Sequence, residues 1–165
     1  MAVVNRYILL ILLPLFSFCS LASDNLAIIA FPKEAKISDN SCTHYLKNKT
    51  QYCHDGVIEL VYEVDEVLNG KYGEDKIKVV DFVHKSGFPS YLTEFPLVMI
   101  LKQENGYYFL VNNTKIIDLG DTEGVCIDGL SFNFENYNVT TVSKDSYCNK
   151  VVSIPDFKTL LSSPK

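Results

Sequence analysis

The sequence predicts a mostly β protein, a small closed or half-closed barrel with a short helix at its C-terminus. Apolar and polar residues alternate from Val57 to Leu68, which is the period-2 pattern of a strand with one buried side. Asn105-Gly106 lies between two apolar runs and is a strong signal for a tight hairpin turn. Several short strands followed by one late helix suit a small barrel.

Residues 1–22 have the layout of a secretory signal peptide. Arg6 supplies a positive charge, Tyr7–Phe18 is an uncharged apolar stretch, and small residues precede the predicted mature N-terminus, Ser23. The alternative is an uncleaved anchor, for which the apolar stretch is short. Residues 23–165 are long enough for one domain with a real core. We therefore expect a secreted or periplasmic protein with no stable membrane span after cleavage.

The first half of the mature chain predicts one strand, a loop and a long hairpin. Asn25–Phe31 is an apolar run that predicts a first strand, and Pro32–Gly56 is polar and turn-rich. The run from Val57 to Leu68 is long, so we expect it to coil or to carry a bulge near Asp65–Glu66. A turn over 69–75, with glycines at 70 and 73 available for positive φ, leads to a returning strand over 76–84.

Carboxylates crowd this hairpin, and their positions predict a solvated face. Glu63 and Asp65 alternate with the apolar residues of their strand, whereas Lys76 and Lys78 share one face of the next strand. Opposite charges across a hairpin are ordinary surface pairs. A catalytic carboxylate needs burial or a like-charged neighbour, which nothing in this pattern indicates.

The second half predicts shorter elements. Leu97–Gln103 is a continuous apolar run typical of a central strand, Tyr107–Asn113 returns from the Asn-Gly turn, and Thr114–Gly120 suggests a short further strand. Short alternating pieces follow up to residue 152. Ser153–Leu161 predicts a helix, since Pro155 suits a first turn and apolar residues recur at helical spacing.

Four cysteines remain after the signal peptide. An even number in an exported chain predicts two disulfides, and the sequence alone allows three pairings. We favour Cys42–Cys53 and Cys126–Cys148, because each closes a short, turn-rich segment.

The charge balance argues against nucleic acid as a partner. The chain has 15 basic and 20 acidic residues. Its one arginine, Arg6, lies in the predicted signal peptide. An acidic chain without arginine lacks the bidentate guanidinium contacts that phosphate recognition favours.

The long hairpin and the strands after it resemble the netrin-like, or tissue-inhibitor-of-metalloproteinase-like, module over Val57–Val111. The similarity lies in a long strand ending in a V-x-x-V-L-x-G turn, followed by a paired strand, an apolar strand and an aromatic return strand. It implies an OB-like five-stranded barrel that serves as a binding or inhibitory module. The inhibitors of that family begin with a zinc-chelating cysteine, whereas here the first mature cysteine is Cys42. Inhibition by that route is therefore not implied.

Two sets of residues are candidates for a site. Cys42, His44, Cys53, His54 and Asp55 could form a zinc site, but their spacing fits no common pattern, and oxidised cysteines are the simpler interpretation. The loop before the central strand presents apolar side chains, and these are our predicted partner-binding residues, Phe88, Tyr91, Leu92 and Phe95. Their alternative role is to cap one end of the barrel. We predict no catalytic residues, no metal and no cofactor.

These observations favour an exported, non-catalytic protein-binding module, of inhibitor or immunity type, whose partner is another exported protein. One alternative is a small hydrolase or metal-dependent enzyme that uses the region of His44, Cys53 and His54. Another is an envelope lipoprotein anchored through Cys19, although Phe18 is larger than the residue that normally precedes a lipidated cysteine. The sequence leaves the oligomeric state open.

Overall fold

A computed structural model describes residues 25–46, 56–83, 89, 92, 96–142 and 148–163. The predicted signal peptide and Cys19 lie outside them. The described elements are, in chain order, β1 (Asn25–Ile37), α1 (Cys42–Tyr45), β2 (Gly56–Asn69), β3 (Lys76–Val83), β4 (Leu97–Glu104), β5 (Tyr107–Asp118), β6 (Glu123–Cys126), β7 (Thr140–Thr141), β8 (Lys150–Ser153) and α2 (Ile154–Ser162). The mostly β prediction with a short C-terminal helix is therefore confirmed.

The described strands form one eight-stranded sheet in the order β3-β2-β1-β4-β5-β6-β8-β7. Neighbours in this order run antiparallel. A short parallel contact between β3 and β5 pairs Val79 with Tyr108 and Val80 with Phe109. This contact curls the first five strands into a partly closed ring, and the remaining three strands extend from β5.

β1 is longer than the sequence predicts, because it continues through Pro32 to Ile37. It pairs with β4 from Asn25 to Ala30 and with β2 from Ala27 onwards, and the described pairs beyond Ala30 are with β2 alone. A proline lacks the backbone N–H, so strands tolerate it where one edge needs no partner. The predicted loop therefore begins after Ile37 and contains α1, a helix that no sequence pattern predicted.

β2 has the predicted two faces. Its inward residues, Ile58, Leu60 and Tyr62, are each at most 1% exposed, whereas Glu63 and Asp65 are exposed. The predicted bulge is confirmed, because Val64 pairs with Ala30 and Glu66 pairs with Ile29, which leaves Asp65 as the extra residue.

The charge pairing across the hairpin differs from the prediction. Glu63 lies opposite Lys76 on β3, but its salt bridge is with Lys33 on β1. Lys33 is the extra residue of a second irregularity, between Pro32 and Glu34. In the turn, Gly70 adopts the expected positive φ of 88°, whereas Gly73 does not.

β4 is central, as predicted: Leu97 to Leu101 are buried between β1 and β5. The turn after it is also confirmed, since Asn105 and Gly106 both have positive φ, 58° and 82°. β5 then runs without a break from Tyr107 to Asp118, so the two short strands predicted there are one. An irregularity between Ile100 and Leu101 leaves Val111 unpaired and 57% exposed.

The C-terminal part contains the predicted disulfide, Cys126–Cys148, and the predicted helix, α2. Ser153 caps α2 by accepting a hydrogen bond from the Asp156 N–H, and Pro155 occupies the first turn. Phe157 is fully buried. Cys42 is disulfide-bonded as well. Its predicted partner, Cys53, lies outside the described residues, so that pairing stays a prediction.

Two apolar clusters lie on opposite sides of β1. The inner cluster fills the ring and includes Leu26, Ile28 and Ala30 of β1. The outer cluster includes Ala27 and Ile29 and is covered by α2 and the segment before β7. Alternate residues of one strand thus contribute to two cores.

Candidate functional site

Of the predicted partner-binding residues, Leu92 lies in the described part of the chain. It is half-buried and packs against the inner cluster. Phe88, Tyr91 and Phe95 lie outside the described residues, so their predicted role stays a prediction.

A different group of aromatic side chains lies on the outside of the ring, where β2, β3 and β5 meet. The rings of Phe82 and Phe109 stack with centroids 5.7 Å apart and an interplanar angle of 21°. Both are half-buried, as is the neighbouring Tyr107. We call this surface the α1 face, because α1 packs on it through Cys42 and Tyr45.

α1 is held on this face by side chains, since a helix of four residues has little stability of its own. Tyr45 is 2% exposed and meets the ring of Tyr107 edge to face, with centroids 5.0 Å apart. The Asn105 side-chain amide donates to the Tyr45 carbonyl at 3.2 Å. The connection between β1 and β2 therefore touches the turn between β4 and β5.

Glu59 anchors the polar border of the α1 face. Its carboxylate accepts hydrogen bonds from the Tyr45 hydroxyl at 2.6 Å and from the Ser38 hydroxyl at 2.8 Å. The Lys36 ammonium lies 2.9 Å from its other oxygen. These contacts, led by the Tyr45 hydrogen bond, lower the pKa of Glu59 to about 2.

Acid is expected to weaken the fold through Glu59. Its folded pKa is about 2 against an ordinary 4.5, so its stabilisation is present above pH 4.5 and is lost as the pH falls towards 2. The side chain is 29% exposed. Solvent screening therefore reduces the expected loss to about 2 kcal/mol. Denaturant unfolding between pH 5 and pH 2.5 checks this, and Glu59→Gln should remove that part of the pH dependence.

His44 is exposed at the rim of the same face. Its Nε2 lies 3.3 Å from the Tyr107 hydroxyl, and its ring meets Tyr45 edge to face. Cys53 and His54, the other residues of the enzyme alternative, lie outside the described residues. Cys42 is disulfide-bonded and offers no thiolate to a metal.

A second cysteine group lies at the far end of the sheet. Ligand atoms of Cys126, Asp128 and Cys148 lie within 4.8 Å of one another. The two cysteines are oxidised to each other, and Asp128 accepts hydrogen bonds from the backbone and side-chain nitrogens of Asn149. This arrangement is a cross-linked loop rather than a thiolate centre.

Tyr62 is the one buried side chain in the described residues whose polar atom has no hydrogen-bond partner. Its hydroxyl lies inside the ring of strands. Burial, with a contribution from the Asp81 charge, raises the pKa of Tyr62 well above its usual value.

Replacing Tyr62 by phenylalanine removes the unpaired hydroxyl and keeps the aromatic side chain. We expect a gain of about 1 kcal/mol in unfolding free energy, measured by urea denaturation. A loss would mean that the hydroxyl has a bonding partner in solution.

Sequence reasoning missed the α1 face, although part of its signal was present. Val80 and Phe82 follow Lys76 and Lys78 at period 2, so the polar side of β3 becomes apolar towards its end. Tyr107 and Phe109 show the same alternation on β5. Apolar residues on both faces of neighbouring strands indicate that something covers the outer side.

In the described residues, no helix is both long and apolar enough to span a bilayer. Comparison with protein-family models, with curated proteins and with solved structures finds no match to this chain.

Proposed function

We propose that the protein is an exported, non-catalytic binding module, of inhibitor or immunity type, that contacts a partner protein through the α1 face. The observation that carries this proposal is the half-buried stack of Phe82 and Phe109 beside Tyr107, on the outside of the ring. Aromatic side chains that are partly buried before binding lose little conformational freedom in a complex, and they are frequent anchors of protein interfaces.

The strand order supports an OB-like barrel, the fold that the netrin-like resemblance implies. The ring runs β1-β2-β3-β5-β4, with β3 parallel to β5. OB barrels bind ligands on the face of their second and third strands, between the connections of strands 1–2 and 4–5. Here α1 belongs to the first connection and Asn105-Gly106 forms the second. The α1 face thus corresponds to that binding surface.

A protein suits this face better than nucleic acid does. Lys36 is engaged by Glu59, and Lys102 by Glu104 at 3.2 Å, so two of the cations near the aromatic stack are already neutralised. The chain as a whole is acidic, with a net charge of −5. Binding of single strands to aromatic platforms requires a basic groove.

A binding role rather than catalysis agrees with the electrostatics of the face. The pKa of Glu59, about 2, keeps its carboxylate ionised near neutral pH, whereas a general acid or base works best with a pKa near the operating pH. The buried Cys126–Cys148 disulfide suits an oxidising compartment and supports export.

Site-specific photo-crosslinking in the native compartment tests the proposal. A photoreactive amino acid replaces His44, which is exposed at the rim of the α1 face, and in a matched chain it replaces Asn133, which is exposed on the segment before β7. We expect one defined protein adduct from position 44 and none from position 133. Equal adducts from both positions, or none from position 44, would count against the α1 face.

Purified components then give the affinity. Phe82→Ala should weaken binding of the crosslinked protein at least about tenfold, as truncation of a central anchor does. Asn133→Ala should leave it unchanged. Both chains must keep their near-ultraviolet circular dichroism, so that the loss reports the surface rather than the fold.

A further inference from the structure

Among the described strands, the part of β1 from Lys33 to Ile37 has a partner on one side only. β4 pairs with β1 from Asn25 to Ala30, and the described strands contribute only β2 beyond that point. The five residues from Lys33 to Ile37 are all exposed, and Ile37 is 66% exposed. An open strand edge is a template for another strand.

The last contact between β1 and β2 shows which backbone groups of β1 face β2 and which face away from it. The Ser38 N–H donates to the Val57 carbonyl at 2.8 Å, so the backbone of residue 38 points towards β2. Direction alternates along an antiparallel strand. The N–H and C=O groups of Ala35 and Ile37 therefore point away from β2, into solvent.

The side chains on this edge can pair with those of a second copy of the same strand, with Ala35 at the centre. Glu34 precedes it and Lys36 follows it, with Lys33 and Ile37 one step further out. When two copies of this strand run antiparallel with Ala35 opposite Ala35, each Glu34 lies opposite the other copy's Lys36. Lysine normally protects an edge by repelling a second copy, but here the Lys36 charge meets its opposite in Glu34.

We propose that the protein self-associates through this edge, with the two β1 strands antiparallel across a twofold axis at Ala35. The Ala35 backbones exchange two hydrogen bonds, and the Glu34 and Lys36 side chains form two symmetry-related ion pairs. Lys36 keeps its contact with Glu59, because its 70% exposed side chain can reach both carboxylates.

The occupant is a second copy rather than an arbitrary extended peptide, because Glu34 and Lys36 match each other when the strand is paired with its own reversed order. The edge is short, so the interface is smaller than the roughly 1,200 Å² of a stable complex, and association is weak and concentration-dependent. This inference does not depend on a partner at the α1 face.

Sedimentation velocity over a range of concentrations tests it, with charge reversal as the probe. In Glu34→Lys both twofold pairs become Lys–Lys, and in Lys36→Glu both become Glu–Glu. Each variant alone should dimerise at least about tenfold more weakly than the wild type. A mixture of the two should recover dimer, because every pair across the axis is then opposite in charge.

Matched controls carry the same charge changes at exposed positions away from the edge, Glu123→Lys and Lys150→Glu. These should dimerise like the wild type, alone and mixed. Melting curves check that Lys36→Glu, which disturbs the Glu59 contacts, still folds. A wild type that stays monomeric at all concentrations, or a mixture no more dimeric than its components, overturns the proposal.

Discussion

Replacing Gly124 by alanine is expected to lower the free energy of unfolding by about 3 kcal/mol, the upper part of the range for overpacked cores. A Cβ atom at this position would lie 2.2 Å from Val151 Cγ1 and 2.9 Å from the Val152 carbonyl oxygen. The side chain of Val151 can turn, but the carbonyl belongs to the β6–β8 pairing, in which Gly124 lies opposite Ser153. The added methyl group must therefore push β8 away from β6. Urea denaturation gives the difference directly.

Gly73→Ala is the matched control, since it adds the same methyl group where nothing lies within 4 Å and φ is not positive. This change should be neutral or slightly stabilising, because alanine restricts the unfolded chain. If both substitutions cost the same, the loss at Gly124 would not come from the close approach of β8.

Removal of the Cys126–Cys148 disulfide is expected to have a comparable effect. The bond joins residues 22 apart in sequence, and a loop of that size contributes about 3 kcal/mol in the chain-entropy model. Cys126→Ala/Cys148→Ala keeps the site small and apolar, which suits the surrounding cluster with Val151. Thermal and denaturant unfolding under oxidising conditions should both show the loss.

Hydrogen exchange shows which part of the structure is weakened when the Cys126–Cys148 disulfide is removed. The Val142 N–H donates to the Asn149 carbonyl at 3.0 Å, next to the bridge, and this amide should exchange much faster in the double variant. Amides of β1 and β4 should keep their order of protection. An unchanged Val142 amide, together with unchanged stability, would show that packing alone holds this loop.

Local signals account for the elements that the sequence predicted correctly. β2 is half-buried, so its alternation is visible in the sequence, and the extra length of the run required the bulge at Asp65. Asn105-Gly106 provides the positive φ angles that few residues favour, and the helix start is marked by the capping hydroxyl of Ser153 and by Pro155 in the first turn. Cysteine count and spacing were enough to indicate Cys126–Cys148.

The remaining features depend on partners that are distant in sequence. Pro32 normally marks a strand end, and only the departure of β4 at Ala30 leaves room for it inside β1. The β3–β5 contact involves two residue pairs and has no local signature. Lys33, placed by an irregularity in the pairing, takes the salt bridge with Glu63 that simple alternation assigns to Lys76.

The α1 face was missed for a related reason. Glu59 has the position of a solvated carboxylate on its strand, and sequence pattern places it with Glu63 and Asp65. Its low pKa arises from Tyr45, Lys36 and Ser38, which a loop and a neighbouring strand bring to it. A period-2 pattern identifies the face of a strand but not what folds over that face.

β1 contributes buried side chains to two cores, and this affects how the chain folds. Leu26, Ile28 and Ala30 complete one core, and Ala27 and Ile29 complete the other. The strand is synthesised early, yet its partner β4 lies far along the chain, where Asn25 meets Lys102. Neither core can close until that long loop has formed, which is a topology associated with slow folding.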